Sequence, residues 1–97
     1  MRLVLAVVLT LSSVSALAQD CRVAFAPSLA EAAIRDVQVQ LQAHGFDPGP
    51  IDGKVGPRTC RAVRAYQRAA GLPIDGVIDP KLQNHLHFVA PKPDRKR

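Results

Sequence analysis

Apolar side chains recur at helical spacing near the middle of the chain. Arg35, Gln38 and Gln42 fall largely elsewhere on the same helical projection. The spacing predicts an amphipathic helix from Ser28 to about His44. The apolar positions that share its inner face are Ala30, Ala33, Ile34, Val37 and Leu41.

Both ends of this first helix have local signals. Ser28 and Glu31 have the spacing of a capping box, in which the Ser hydroxyl accepts from the third helical amide and Glu31 reaches back to the amide of Ser28. Gly45 is suited to the position just beyond the helix. Phe46 can then pack back on Leu41.

A second amphipathic helix is predicted from Pro57 to Gly71. The preceding segment, 47–56, holds two prolines and three glycines and must be a turn-rich loop. Gly56 can cap the helix, and Pro57 suits its first position because the missing N–H would have no helical partner there. The residues expected on one face of this helix are Thr59, Val63, Tyr66 and Ala70.

A short third helix is predicted after a second loop. Asp79 serves as its cap, Pro80 as its first residue, and it ends near Leu86. The segment 50–57 (PIDGKVGP) recurs as 73–80 (PIDGVIDP), so two loops of equal length lead into the second and third helices. The sequence therefore predicts an all-α fold, a small three-helix bundle with two turn-rich loops.

The first 18 residues have the features of a cleavable signal peptide. Arg2 gives a positive start, an apolar run follows, and Ala16-Leu17-Ala18 is a cleavage motif. A membrane-spanning helix needs about 20 apolar residues, and this apolar run is shorter. We expect a mature chain from Gln19 in the periplasm or outside the cell, with no stable membrane insertion. It would comprise an arm (19–27), without regular structure, the domain (28–88) and a basic disordered tail (89–97).

Export changes the interpretation of the two cysteines, Cys21 and Cys60. Thiol pairs in an oxidising compartment usually form disulfides, and a bridge here would close a loop of about 40 residues, worth roughly 4 kcal/mol on the chain-entropy estimate. Free or catalytic thiols are the alternatives. Neither cysteine lies in a C-x-x-C pair or beside an obvious His partner.

The chain is basic, with a formal net charge of +5, but much of this charge lies in the tail. Once the signal peptide and the tail are set aside, the charges nearly cancel. This distribution argues against a nucleic-acid partner. The tail is more typical of a solvated terminus, with contact to anionic envelope polymers as an alternative.

From Val37 to Leu82 the chain resembles the peptidoglycan-binding domain found beside many cell-wall hydrolases. The motifs that carry the resemblance are Leu41-Gln42, Gly45-Phe46, the run from Asp52 to Thr59, Ala62-Val63, Tyr66-Gln67 and the run from Gly71 to Gly76. The resemblance implies a three-helix fold and wall binding. The family commonly has phenylalanine at Val55 and Tyr66, so the core here is expected to be smaller and one hydroxyl needs a partner. Cys60 occupies a variable position.

A peptidoglycan binder should present hydrogen-bonding turns and cations in a shallow groove. The loop that enters the second helix fits this description, because helix N-terminal amides attract anions and cations flank them. The candidate ligand residues are Asp52, Gly53, Lys54, Arg58 and Arg61. For Asp52 and Gly53 the alternative is a purely structural role in the turn.

Four arginines of the second helix, Arg58, Arg61, Arg64 and Arg68, cluster opposite Val63. Such a stripe could bind wall carboxylates or an acidic protein, although a solvated face is the ordinary explanation. We therefore expect a non-catalytic, monomeric module that binds peptidoglycan. The alternative is a protein-interaction or regulatory subunit of a periplasmic hydrolase or secretion complex.

Neither a cofactor nor a metal ion is expected. His44, His85 and His87 form no established zinc-binding pattern. No nucleophile motif such as G-x-S-x-G is present, and Ser28 is accounted for as a cap. The sequence therefore predicts a protein without enzymatic activity.

Overall fold

The computed structural model describes residues 21–89, which form three helices and two short strands. The helices are α1 (Pro27–Ala43), α2 (Pro57–Ala70) and α3 (Pro80–Phe88), and the strands are β1 (Arg22–Val23) and β2 (Val77–Ile78). The predicted all-α bundle is thereby confirmed. The proposed signal peptide and most of the basic tail lie outside the described residues.

The predicted cap of α1 is wrong. The helix begins at Pro27 rather than after Ser28, and Ala26 precedes it without a side-chain cap. Instead, the carbonyl of Ala26 accepts a hydrogen bond from the amide of Leu29 at 2.9 Å. Pro27 already has the backbone φ that the first helical position requires. The chain therefore becomes helical one residue before the serine, which can no longer act as the cap.

The other helix ends agree closely with the sequence signals. Gly45 has φ +89°, and the amide of Phe46 donates to the carbonyl of Leu41 at 2.8 Å, as in a Schellman motif. Gly71 ends α2 in the left-handed conformation. Asp79 caps α3 through a 2.9 Å hydrogen bond from the amide of Leu82, although the helix continues two residues beyond Leu86.

The arm is more ordered than expected. β1 pairs in parallel with β2, with Arg22 opposite Val77, and the amide of Ala24 donates to the carbonyl of Ile78 at 2.8 Å. The predicted disulfide between Cys21 and Cys60 is present, with a Cα–Cα distance of 5.7 Å. The arm is thus attached covalently to α2 and by hydrogen bonds to the second loop.

A single apolar core lies between the three helices and β2. Tyr66 is buried within it, and its hydroxyl is 2.5 Å from Nδ1 of His85, which supplies the partner that this position needs. Val55 packs against the edge of the core. The core residues are Val37, Leu41, Ala62, Val63, Tyr66, Ile78, Leu82 and Leu86.

Candidate functional site

The predicted ligand loop begins with a turn that α1 holds in place. The amide oxygen of Gln38 accepts from the N–H of Gly53 at 2.9 Å. Its amide nitrogen donates to the carbonyl of Lys54 at 2.8 Å and to the hydroxyl of Thr59 at 3.1 Å. Gln38 therefore joins α1, the turn and the first turn of α2 through one side chain.

The buried position of Gln38 contradicts the expectation that it lies away from the inner face of α1. The residue is fully buried, with an exposed fraction of 0%. A buried amide requires hydrogen-bond partners, and these partners come from the loop and the first turn of α2, 14 to 21 residues further along the chain. The helical pattern alone contains no sign of them.

Asp52 and Gly53 shape this turn. The carboxylate of Asp52 accepts from the amide of Lys54 at 2.9 Å and from Gln38 at 3.3 Å. The Lys54 amide, followed by Gln38, lowers the pKa of Asp52. Gly53 has φ +77°, and a Cβ atom there would lie 3.0 Å from the carbonyl oxygen of Glu31. Both residues therefore have a defined structural role, and ligand contact by either remains a prediction.

The cations around this turn differ in their surroundings. Arg58 forms a salt bridge with Asp47, whose pKa is lowered by the amide of Gly49 and then by Arg58. The side chains of Lys54 and Arg61 are exposed, and neither forms an ion pair within residues 21–89. The guanidinium of Arg35 on α1 donates to the carbonyl of Asp52 at 3.4 Å, whereas neither Arg58 nor Arg61 has a hydrogen bond to the turn of residues 52–54 in this part of the chain. Contact of Lys54, Arg58 or Arg61 with a ligand remains a prediction.

The arginine stripe of α2 is only partly exposed. Arg61 and Arg68 point to the surface, whereas Arg64 is half-buried. The guanidinium of Arg64 packs on Gly76, where an added Cβ would lie 2.8 Å from one of its nitrogens. The stripe thus extends from the first loop towards the second.

The second loop repeats the architecture of the first. The amide of Gly76 donates to the side-chain oxygen of Gln67 at 3.0 Å, and the Gln67 amide nitrogen donates to Asp75 at 2.9 Å. Hydrogen bonds from the Val77 amide first, and then from Gln67, lower the pKa of Asp75. Each copy of the PIDG repeat is therefore held in the same way by a glutamine of the preceding helix.

A groove of about 460 Å³ lies between this second loop and α3. Its apolar lining includes Leu72, Val77 and the exposed Phe88. Its polar lining includes Lys81, Asn84 and His85. The sequence analysis missed this groove. The only signal for it was an aromatic residue near the end of a helix that was expected to be shorter.

The three histidines have separate partners. Nε2 of His44 lies 2.9 Å from the carbonyl of Leu86, and Nε2 of His87 lies 2.6 Å from the carboxylate of Asp36. His85 contacts Tyr66, as described above. Among residues 21–89, no group of three His, Cys, Asp or Glu side chains could hold a metal ion. None of the helices in this range has the length and apolar character needed to cross a membrane.

Sequence comparisons connect this fold to known proteins. Residues 30–86 match the model of a family described as "Putative peptidoglycan binding domain". The chain is 37% identical over 57 residues to the N-acetylmuramoyl-L-alanine amidase CwlM of Mycobacterium tuberculosis, covering 59% of this chain and 14% of the amidase. It is 37% identical over 51 residues to a spore cortex-lytic enzyme of Bacillus cereus, covering 53% of this chain and 20% of the enzyme.

A third relative is the localization factor PodJL of Caulobacter vibrioides, which is 38% identical over 65 residues, or 67% of this chain and 7% of the factor. The chain thus spans a fifth or less of the length of these relatives. No solved structure matches it significantly. The family match covers more than half of the chain and coincides with the three-helix fold, and the chain therefore belongs to the peptidoglycan-binding domain family.

Proposed function

We propose that this protein binds peptidoglycan non-covalently and does not cleave it. Family membership gives the class of ligand. The observation that supports a surface for it is the exposure of Lys54, Arg61 and Arg68 without an ion-pair partner among residues 21–89. Peptidoglycan peptides end in carboxylates, and arginine binds carboxylates through two parallel hydrogen bonds.

The composition of α2 favours an anionic ligand on this face. The helix contains four arginines and no acidic residue. Like charges three or four positions apart destabilise a helix by roughly 0.2–0.5 kcal/mol per pair. A carboxylate-bearing polymer would relieve this repulsion. The exposed arginines of α2, together with Lys54, form the surface that we assign to the peptide part of the wall.

Cosedimentation with purified insoluble sacculi tests the proposal. We expect retention of the full chain, reduced about threefold each by Lys54→Ala and Arg61→Ala, since an exposed charge contact is worth up to about 1 kcal/mol. Arg22→Ala is the matched control, because it removes one cation from β1 and should leave retention unchanged. Equal losses in all three variants would indicate a general charge effect and contradict the assigned surface.

The absence of catalysis requires a separate measurement. Labelled sacculi incubated with the pure protein should release no soluble fragments beyond a buffer blank. Release that persists through repurification would show an autonomous hydrolase and overturn this part of the proposal. The family domain alone supports binding, and the hydrolytic activities named for the relatives belong to much longer proteins.

We also propose that binding takes place in the periplasm or outside the cell. The wall-binding domain and the disulfide both support a location beyond the cytoplasm. Residues 1–18 would act as the removable signal peptide. Mass spectrometry of material recovered from an expressing bacterium should find an N-terminus at Gln19 and the loss of two hydrogens; an unprocessed chain with free thiols would contradict this location.

A role in protein interaction is the second candidate. The match to the localization factor over 67% of this chain shows that related domains also occur in a protein named for localisation rather than hydrolysis. An acidic partner, such as a periplasmic hydrolase, could bind the arginine face. Absence of retention on sacculi, together with loss of binding to one purified hydrolase on Arg61→Ala, would favour this second role.

A further inference from the structure

The groove beside α3 has a different chemical character from the arginine face. Lys81, Asn84, His85 and Phe88 follow one another at positions i, i+3, i+4 and i+7 of α3, so they form one continuous face of the helix. This face lines the groove opposite the second loop. A groove of about 460 Å³ lies within the range of small-ligand sites.

Phe88 is the clearest sign that this face has a use outside the core. The residue is 83% exposed although it lines the groove. Val89, which also lines the groove, is 41% exposed. Scattered apolar residues are ordinary on protein surfaces, but an exposed aromatic ring that lines a formed groove offers a flat apolar surface to a ligand.

The polar groups of the groove disfavour a strongly charged ligand. The carboxylate of Asp75 is occupied by the Val77 amide and Gln67, and that of Asp79 caps α3. Lys81 is the cation of the lining, against these two carboxylates. The groove therefore lacks the positive character that would select the carboxylates of wall peptides.

Two neutral hydrogen-bonding groups complete the site. The side-chain amide of Asn84 is exposed and has no hydrogen bond within residues 21–89. His85 uses Nδ1 towards Tyr66, so Nε2 remains for another contact. A ligand suited to this set combines an apolar face with neutral donors and acceptors. Acetylated amino sugars have these properties, because the ring has an apolar face and the acetamido and hydroxyl groups are polar and neutral.

We propose that this groove binds the glycan strand of peptidoglycan, through an N-acetylated hexosamine stacked on Phe88 and hydrogen-bonded to Asn84. The inference rests on the proposed function and deepens it. The two surfaces then divide the polymer between them. The groove takes the neutral sugar, and the arginine face takes the charged peptide.

Nuclear magnetic resonance titration of the full processed chain tests this division. The probes are a soluble N-acetylglucosamine tetramer and a wall stem peptide without sugar. We expect the tetramer to shift the amide signals of residues 84–89, and the stem peptide to shift those of α2 instead. Phe88→Ala and Asn84→Ala should each weaken tetramer binding at least fivefold. Leu29→Ala is the matched control, since Leu29 is also an exposed apolar residue but lies on α1, and it should leave tetramer binding unchanged.

The outcomes separate this inference from the proposed function. Retention on sacculi without any effect of the tetramer on residues 84–89 would overturn the groove assignment and leave wall binding intact. Tetramer binding without retention on sacculi would support a sugar site and contradict the proposed function. Loss of self-association in Phe88→Ala, measured by ultracentrifugation and unaffected by the tetramer, would show that a second copy occupies the groove and would overturn the sugar assignment.

Discussion

Gln38 and Gln67 hold the two glycine-bearing turns of the domain in the same way. Each side-chain oxygen accepts the amide of a glycine, Gly53 or Gly76, at 2.9 or 3.0 Å. Each amide nitrogen donates to the aspartate that precedes that glycine. The two glutamines lie on successive helices, so each helix fixes the turn that follows it. The sequence repeat therefore holds in place the turn beside the arginine face and the turn beside the groove.

Replacing Gln38 with leucine should destabilise the fold substantially. The change leaves the amide of Gly53 and the carbonyl of Lys54 without their side-chain partner, and each unsatisfied buried group costs about 1–3 kcal/mol. We expect a loss of about 2–4 kcal/mol in the free energy of unfolding, measured by urea titration with circular dichroism. Gln42→Leu, on the exposed side of α1, should change it by less than about 0.5 kcal/mol. A similar small effect at both positions would show that the buried network contributes little.

Replacing Gly53 with alanine should also destabilise the protein, for a different reason. Its φ of +77° disfavours any side chain, and the new Cβ would lie 2.6 Å from Cγ and 3.0 Å from the carbonyl oxygen of Glu31. Gly45→Ala separates these effects, since Gly45 has φ +89° but nothing within 4 Å of the added atom. We expect about 1 kcal/mol of loss at Gly45 and a larger loss at Gly53 in thermal and urea unfolding. Equal losses would mean that α1 moves aside without cost.

The sequence predicts the parts of this fold that depend on neighbouring residues. Pro57 and Pro80 restrict their own φ, and Gly71 readily adopts the positive φ that ends α2, so the helices begin or end beside these residues as expected. At α1 two local signals competed, and Pro27 rather than Ser28 set the start. The two adjacent helix-start signals differ in free energy by only a small fraction of the stability of the folded domain. A sequence pattern therefore cannot determine which of them sets the start.

The features that could not be predicted depend on distant contacts. Gln38 looks polar and therefore external, but its partners lie in a loop that folds back on α1. β1 exists because the disulfide and the second loop bring it beside β2. The groove likewise needs the second loop and α3 to be in place. Of the predicted ligand residues, Asp52 and Gly53 proved to have structural partners that the sequence pattern could suggest but not identify.

Acid should weaken the fold through its aspartates. Partial burial opposes the charged form of Asp36, but hydrogen bonds from Gln83 and His87 outweigh it and lower its pKa. The pKa values of Asp52 and Asp75 are also lowered by turn hydrogen bonds. Groups whose pKa is lower in the folded state stabilise the protein above their unfolded value of about 3.9, and this stabilisation is lost as the pH falls through the folded value.

The measurement is the free energy of unfolding in urea at pH 7 and at successive values below 5. We expect it to decrease steadily below about pH 4. Asp75→Asn should show a smaller decrease over that range, because one of the titrating carboxylates is absent while an acceptor oxygen remains for Val77. An unchanged acid dependence in this variant would show that the Asp75 turn does not contribute to it.

Breaking the disulfide should destabilise the domain and release β1 before the helices. The Cys21–Cys60 bridge spans 39 residues, and the chain-entropy estimate for such a loop is about 4 kcal/mol. Because β1 is only two residues long and pairs with one strand, we expect reduction to abolish the hydrogen-exchange protection of the Arg22 and Ala24 amides. The amides of α2 should stay protected in the absence of denaturant. The Cys21→Ser, Cys60→Ala double variant controls for the reductant itself. Adding the reductant should not change the hydrogen exchange of either β1 or α2 in this variant. Protection of β1 that survives reduction in the wild-type protein would show that strand pairing, rather than the bridge, holds the arm on the domain.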